Sequence, residues 1–130
     1  MSAGLNVLVV GFGSAGRRHA QNLSKRGATI SFVDNRADRL APPAGLNFGA
    51  GFNSVEQALS AGRYDAAVIA TPTAFHVDQT EQLLAAGCHI LLEKPVSLDA
   101  ASAERLLRAE AKYARPILLG YTWRWWNALG

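Results

Sequence analysis

Three glycines spaced G-x-G-x-x-G, Gly11, Gly13 and Gly16, follow directly on the aliphatic run Asn6-Val7-Leu8-Val9-Val10. That combination suits the binding of a diphosphate. A buried strand would deliver the chain to a tight turn at Gly11. Gly13 would let a pyrophosphate approach the backbone, and Gly16 would let the next helix pack against the strand. The helix N-terminus would then aim unpaired N–H groups at the phosphate oxygens. Phe12, Ser14 and Ala15 fill the intervening positions, so residues 11–16 form one candidate anion-binding loop. A glycine-rich surface turn is the alternative, and the context argues against it. Asp34 ends the next apolar run about twenty residues on, the offset at which a carboxylate accepts hydrogen bonds from an adenosine ribose. An Asp after a strand is also an ordinary turn or cap residue; the glycines upstream favour the ribose role. Asn35 and Arg36 adjoin it and count as cofactor contacts. The acid favours NAD, whereas a guanidinium at Arg36 could pair with the 2′-phosphate of NADP.

The elements that must position these groups follow from the apolar pattern. Strands are expected at residues 5–10, 29–33, 47–52, 65–70, 89–93 and 116–121; the first and fourth are apolar without the alternation of a half-exposed strand, which marks a sheet covered on both faces. Helices are expected over residues 15–25, 54–62, 74–86 and 100–113. Ser54 and Gln57 form a capping box, Asp99 caps the last helix, and Gly27 and Gly87 close two others. Pro42-Pro43 stops any helix begun at Arg36. In the last helix Ala103, Leu106 and Leu107 are expected to face inward, with a Glu104–Arg108 pair outside. Strands alternating with helices imply an α/β fold, a doubly wound parallel sheet of order 3-2-1-4-5-6 in a single domain. Ligands of such a sheet bind where strand order reverses, at the carboxyl ends. Thr71, Pro72 and Thr73 lie at the end of strand four, with His76 a turn beyond, and Glu93, Lys94 and Pro95 follow strand five.

Composition narrows the function classes. The chain of 130 residues suits one domain, and the net charge of +3 is scattered without a basic block, so neither nucleic acid nor a membrane surface is an expected partner. No apolar stretch is long enough to span a bilayer. The single cysteine, Cys88, cannot form an internal disulfide and reads as buried packing, in keeping with a cytoplasmic protein. No metal site is expected.

Together with Thr71-Pro72-Thr73-Ala74-Phe75-His76, Glu93-Lys94-Pro95 and Gly120-Tyr121-Thr122-Trp123-Arg124-Trp125, the glycine loop resembles the landmarks of the glucose-fructose oxidoreductase / inositol dehydrogenase / MocA family, in order and spacing over essentially the whole chain. The resemblance implies a Rossmann domain over residues 1–122, with residues 123–130 beginning a connection to a C-terminal substrate domain. It implies an NAD(P)-dependent oxidoreductase that moves hydride between a nicotinamide and a sugar, inositol or related hydroxy compound. Lys94 matches the family's catalytic lysine, where an ammonium could stabilise a developing alkoxide or relay its proton. Glu93 would contact the cofactor or orient Lys94, and Pro95 could adopt a cis bond. Thr71 and Pro72 would line the cofactor cleft. Thr73 stands where the family usually has Asn, which alters a polar contact. His76 matches a family histidine or is structural, and Arg124 matches a common family arginine near the site or is a surface residue.

By this reading the 130 residues alone bind the dinucleotide but lack the other wall of a substrate pocket, and a sugar-like substrate is a partner only with a second domain. A non-catalytic dinucleotide sensor or scaffold is the competing class. A methyltransferase, which also uses a glycine loop and an acid, would leave Glu93-Lys94-Pro95 without a use. Trp123, Trp125 and Trp126 lie within one short segment, from which self-association as a homo-oligomer is expected.

Overall fold

The computed structural model describes residues 4–120. Its elements run β1 (Asn6–Val10), α1 (Ser14–Lys25), β2 (Thr29–Val33), β3 (Phe48–Phe52), α2 (Val55–Ala61), β4 (Ala66–Ile69), α3 (His76–Ala85), β5 (His89–Leu92), α4 (Ala100–Tyr113) and β6 (Ile117–Leu119). One-turn 3-10 helices lie at Ala37–Arg39 and Thr73–Phe75. The six strands form one parallel sheet of order β3-β2-β1-β4-β5-β6. This is the order expected of the sequence, with its reversal between β1 and β4.

The inner strands β1 and β4 lack alternation because both faces are covered. Successive β1 residues supply opposite sides: Val7 and Val9 join Phe12, Ala20, Ile30, Phe32 and Val68 in one cluster, with Leu23 of α1 against it. Leu8 and Val10 join Ile69, Leu83, Leu84, Ile90, Leu92 and Leu106 in the other, which draws on α3 and α4. Each such side chain contributes roughly 1.5–3 kcal/mol when fully buried. In register, Val10 stands beside Val33 and Ile69, and Ile69 beside Leu92. Four strands therefore end at one level, and the loops after β1, β2, β4 and β5 share one edge of the sheet.

Local signals set the helix ends. Gly27 and Gly87, at φ of 95° and 89°, take the left-handed turn after α1 and α3. The Asp99 carboxylate accepts from the Ser102 N–H at 2.7 Å. Ser54 Oγ accepts from the Gln57 N–H at 3.1 Å, while Gln57 Oε1 reaches back to the N–H of Asn53, one residue earlier than a standard capping box.

Two expectations for α4 are corrected. Leu107 is exposed, and the buried stripe passes through Leu106 and Ala109 instead. Position 107 lies about 100° round the helix from 106, and a helix over the sheet's outer strands buries only a narrow stripe. The Glu104–Arg108 pair does not form. The salt bridges of α4 run instead from Arg105 to Asp78 and Glu81 of α3, at 3.0 Å each. Arg124 and the three tryptophans lie outside the described residues. Among the described residues no helix is long and apolar enough to cross a membrane.

Candidate functional site: a cleft at the strand reversal

The cleft at the β1/β4 reversal measures about 580 Å³ and is lined by Gly11, Gly13, Asp34, Asn35, Arg36, Thr71 and Pro72, among others. This is within the range of small-molecule sites. Sequence reasoning had named all seven.

Each loop glycine has a distinct steric reason. Gly11, at φ 91°, passes so close to the end of β4 that a Cβ there would lie 2.6 Å from the Ala70 carbonyl oxygen. A Cβ on Gly16 would collide with the Gly11 carbonyl and lie 3.3 Å from Val9, so only glycine lets α1 sit on β1. Gly13 is different: a Cβ there would meet only the Arg39 guanidinium, 3.5 Å away, so the space over it is open. Gly13 is also the N-cap of α1. The first-turn N–H groups of any helix lack intrahelical partners, and here those of Ser14, Ala15 and Gly16 follow that open space.

Phe12 enters the site through its backbone alone. Its ring is buried and stacked on Phe32 at 3.9 Å between centroids, and the Arg17 guanidinium covers it at 4.8 Å. Its N–H donates to Asp34 Oδ2 at 2.9 Å. Asp34 Oδ1 accepts from the Arg36 N–H, also at 2.9 Å. The buried carboxylate thus joins the phosphate loop to the end of β2 and carries an ion pair with Arg39 at 3.4 Å. Arg39 was not singled out from the sequence. The Arg36 side chain turns to Asp38 with two contacts, at 3.2 and 2.8 Å, and this partner raises its pKa and lowers that of Asp38.

Beyond β4, Thr71 Oγ1 donates to Gln79 Oε1 at 2.6 Å. Thr73 opens the 3-10 turn and is half-buried. His76 is buried behind that turn, with Nε2 2.8 Å from the Thr71 carbonyl and Nδ1 3.3 Å from the Val96 carbonyl. It braces the loop after β4 against the loop after β5. In that second loop the Lys94–Pro95 bond is cis and Lys94 is exposed. Glu93 Oε2 accepts from the Lys94 N–H at 3.3 Å, and its Oε1 lies 2.5 Å from His19 Nε2. His19 was also missed, although it stands three residues after Gly16, on the helix face that meets the sheet.

These residues fit a dinucleotide: open space over the glycine at a helix N-terminus, and a carboxylate at the adjoining strand end. The comparisons with known proteins agree. The sequence matches the GFO_IDH_MocA family, described as an oxidoreductase family with an NAD-binding Rossmann fold, over residues 5–121. The chain belongs to this family. It is 40% identical over 121 residues to an inositol 2-dehydrogenase of Leifsonia xyli subsp. xyli, covering 90% of this chain and 36% of that protein. It is 36% identical over 99 residues to a UDP-N-acetylglucosamine 3-dehydrogenase of Acidithiobacillus ferrooxidans, covering 76% and 31%. A crystal structure of scyllo-inositol dehydrogenase from Lactobacillus casei with bound NAD(H) and scyllo-inositol superposes with a TM-score of 0.87 at 25% identity, covering 96% of this chain and 38% of that one. The chain thus spans about a third of the length of the curated relatives it matches.

Proposed function

We propose that this chain is the cofactor-binding domain of a nicotinamide-dependent dehydrogenase acting on an inositol or a related sugar-like alcohol, with NAD(H) preferred. The observation that carries the reading is the joint of Asp34 to the phosphate loop through the Phe12 N–H, beside open space over Gly13. The α1 N-terminus would hold the pyrophosphate, and Asp34 would accept from the adenosine ribose. The relatives named inositol 2-dehydrogenase support the substrate class.

When bound, the nicotinamide supplies the hydride acceptor. Lys94 would serve as the group that stabilises the substrate oxygen or relays its proton, with Glu93 contacting the cofactor or orienting Lys94. Its contacts with His19 and with the Lys94 N–H support the orienting role. Thr71 and Pro72 would line the cleft, with His76 bracing them.

We read residues 1–122 as the domain and 123–130, including Arg124, as leading towards a substrate domain. The tryptophans in that segment would mediate self-association, which sedimentation of the wild type against Trp125→Ser, Trp126→Ser tests. A cytoplasmic setting accords with the buried free thiol of Cys88.

The deciding experiment is calorimetric titration of the chain with NADH, NADPH and S-adenosylmethionine. Saturable NADH binding is expected, and selective binding of S-adenosylmethionine would overturn the reading. The 130 residues alone should bind NADH yet reduce no NAD with myo- or scyllo-inositol, because none of the described residues would hold the substrate carbon about 3–3.5 Å from the nicotinamide. Turnover that vanishes in Lys94→Met would overturn that last expectation.

A further inference from the structure

Two arginines line the cleft beside Asp34, and they are not equivalent. Arg36, the one adjacent in sequence, spends its guanidinium on Asp38 through two hydrogen bonds at 3.2 and 2.8 Å. Arg39 makes one long contact, 3.4 Å to Asp34 Oδ2, and its side chain is 36% exposed. The same guanidinium overhangs Gly13, with Nη1 3.5 Å and Cζ 3.9 Å from where a Cβ would stand. Arg39 therefore reaches both the carboxylate proposed for the ribose and the space proposed for the pyrophosphate.

We propose that Arg39, and not Arg36, sets how far this chain discriminates NAD from NADP. The inference rests on the reading that the cleft holds a nicotinamide dinucleotide. Asp34 alone would repel a 2′-phosphate, since two anions would meet at one strand end. Arg39 opposes that repulsion twice. Its charge offsets the carboxylate, and its fork of donors can turn from a single long contact to a phosphate oxygen. The side chain is partly in solvent and its contact is long, so leaving Asp34 costs little. Arg36 would first have to break its two contacts to Asp38. NADH is then the tighter ligand, but NADPH still binds.

The test is calorimetric titration of NADH and NADPH into the wild type, Arg39→Gln, Arg39→Lys and Arg36→Gln, with Arg108→Gln on α4 as a charge-matched control. Arg39→Gln should weaken NADPH about tenfold or more and NADH less than about threefold, because a charge-assisted contact to the phosphate is lost. Arg39→Lys should keep most of the NADPH affinity, and Arg108→Gln should change neither. Equal losses for both cofactors, no loss, or a selective NADPH loss confined to Arg36→Gln would each overturn the inference. So would a wild type that binds NADH but no NADPH. Failure of the wild type to bind either cofactor would overturn the cofactor reading itself, which separates the two.

Discussion

His19 Nε2 on α1 and Glu93 Oε1 at the end of β5 lie 2.5 Å apart, across 74 positions of sequence. The helix that begins at the phosphate loop is thereby tied to the loop that carries Lys94. Both side chains are largely buried, at 21% and 15% exposure, so removing one partner strands the other. His19→Ala should cost roughly 1–3 kcal/mol in urea unfolding. A double-mutant cycle with Glu93→Gln should give a coupling of at least about 0.5 kcal/mol. Additive losses would mean that the two groups are neighbours without a working bond.

The loop glycines should separate binding from folding. A Cβ at Gly13 meets only a flexible side chain, so Gly13→Val should keep its circular dichroism and melt near the wild type while losing NADH binding. Gly16→Ala drives a Cβ into the Gly11 carbonyl. It should lose about 3 kcal/mol or more, the upper end of the overpacking penalty. NADH affinity retained in folded Gly13→Val would reduce the loop to a turn.

Asp34 serves both fold and selectivity. Asp34→Ala orphans the Phe12 and Arg36 N–H groups, at a cost of roughly 1–3 kcal/mol. It should weaken NADH about tenfold or more, as expected for loss of hydrogen bonds to a charged acceptor, and narrow the gap to NADPH. An unchanged NADH:NADPH ratio in the folded variant would remove Asp34 from the ribose site.

The Asp99 cap makes a pH-dependent contribution of known sign. The Ser102 N–H holds its carboxyl below the ordinary value of 3.8. A group whose folded pKa is depressed stabilises fully above its unfolded value, and that stability is lost as the pH falls through the folded one. Asp99→Asn still offers an oxygen to the N–H but does not titrate. Its unfolding midpoint should therefore fall less steeply than the wild type's below about pH 4. Parallel acid limbs would show that the cap charge is idle.

Much of this was legible in the sequence because it is local. The strand, the three glycines and the acid at the next strand end lie within one βαβ unit, and their spacing alone sets their geometry. The sheet order followed from the alternation of elements. His19 and Arg39 were not legible for opposite reasons. The partner of His19 is brought in by β5, far along the chain, which no periodicity announces. Arg39 lies in an irregular stretch before Pro42, where a single 3-10 turn, and not a helix face, decides its direction. Arg36 was nearer in sequence to Asp34, but Asp38, two residues beyond it, claimed it. Leu107 misled because its hydrophobicity fits the helix and its angular position does not.

Cys88 has a practical consequence. Its thiol is fully buried where β5 begins, beside the Tyr64 carbonyl at 3.5 Å, and burial raises its pKa. A thiol reagent can reach it only when the packing of α3 against β5 opens. With no engineered label, the rate at which the native chain is modified reports how often that half of the sheet breathes. Comparing that rate with and without NADH would show whether a ligand held between β1 and β4 steadies strands it does not touch.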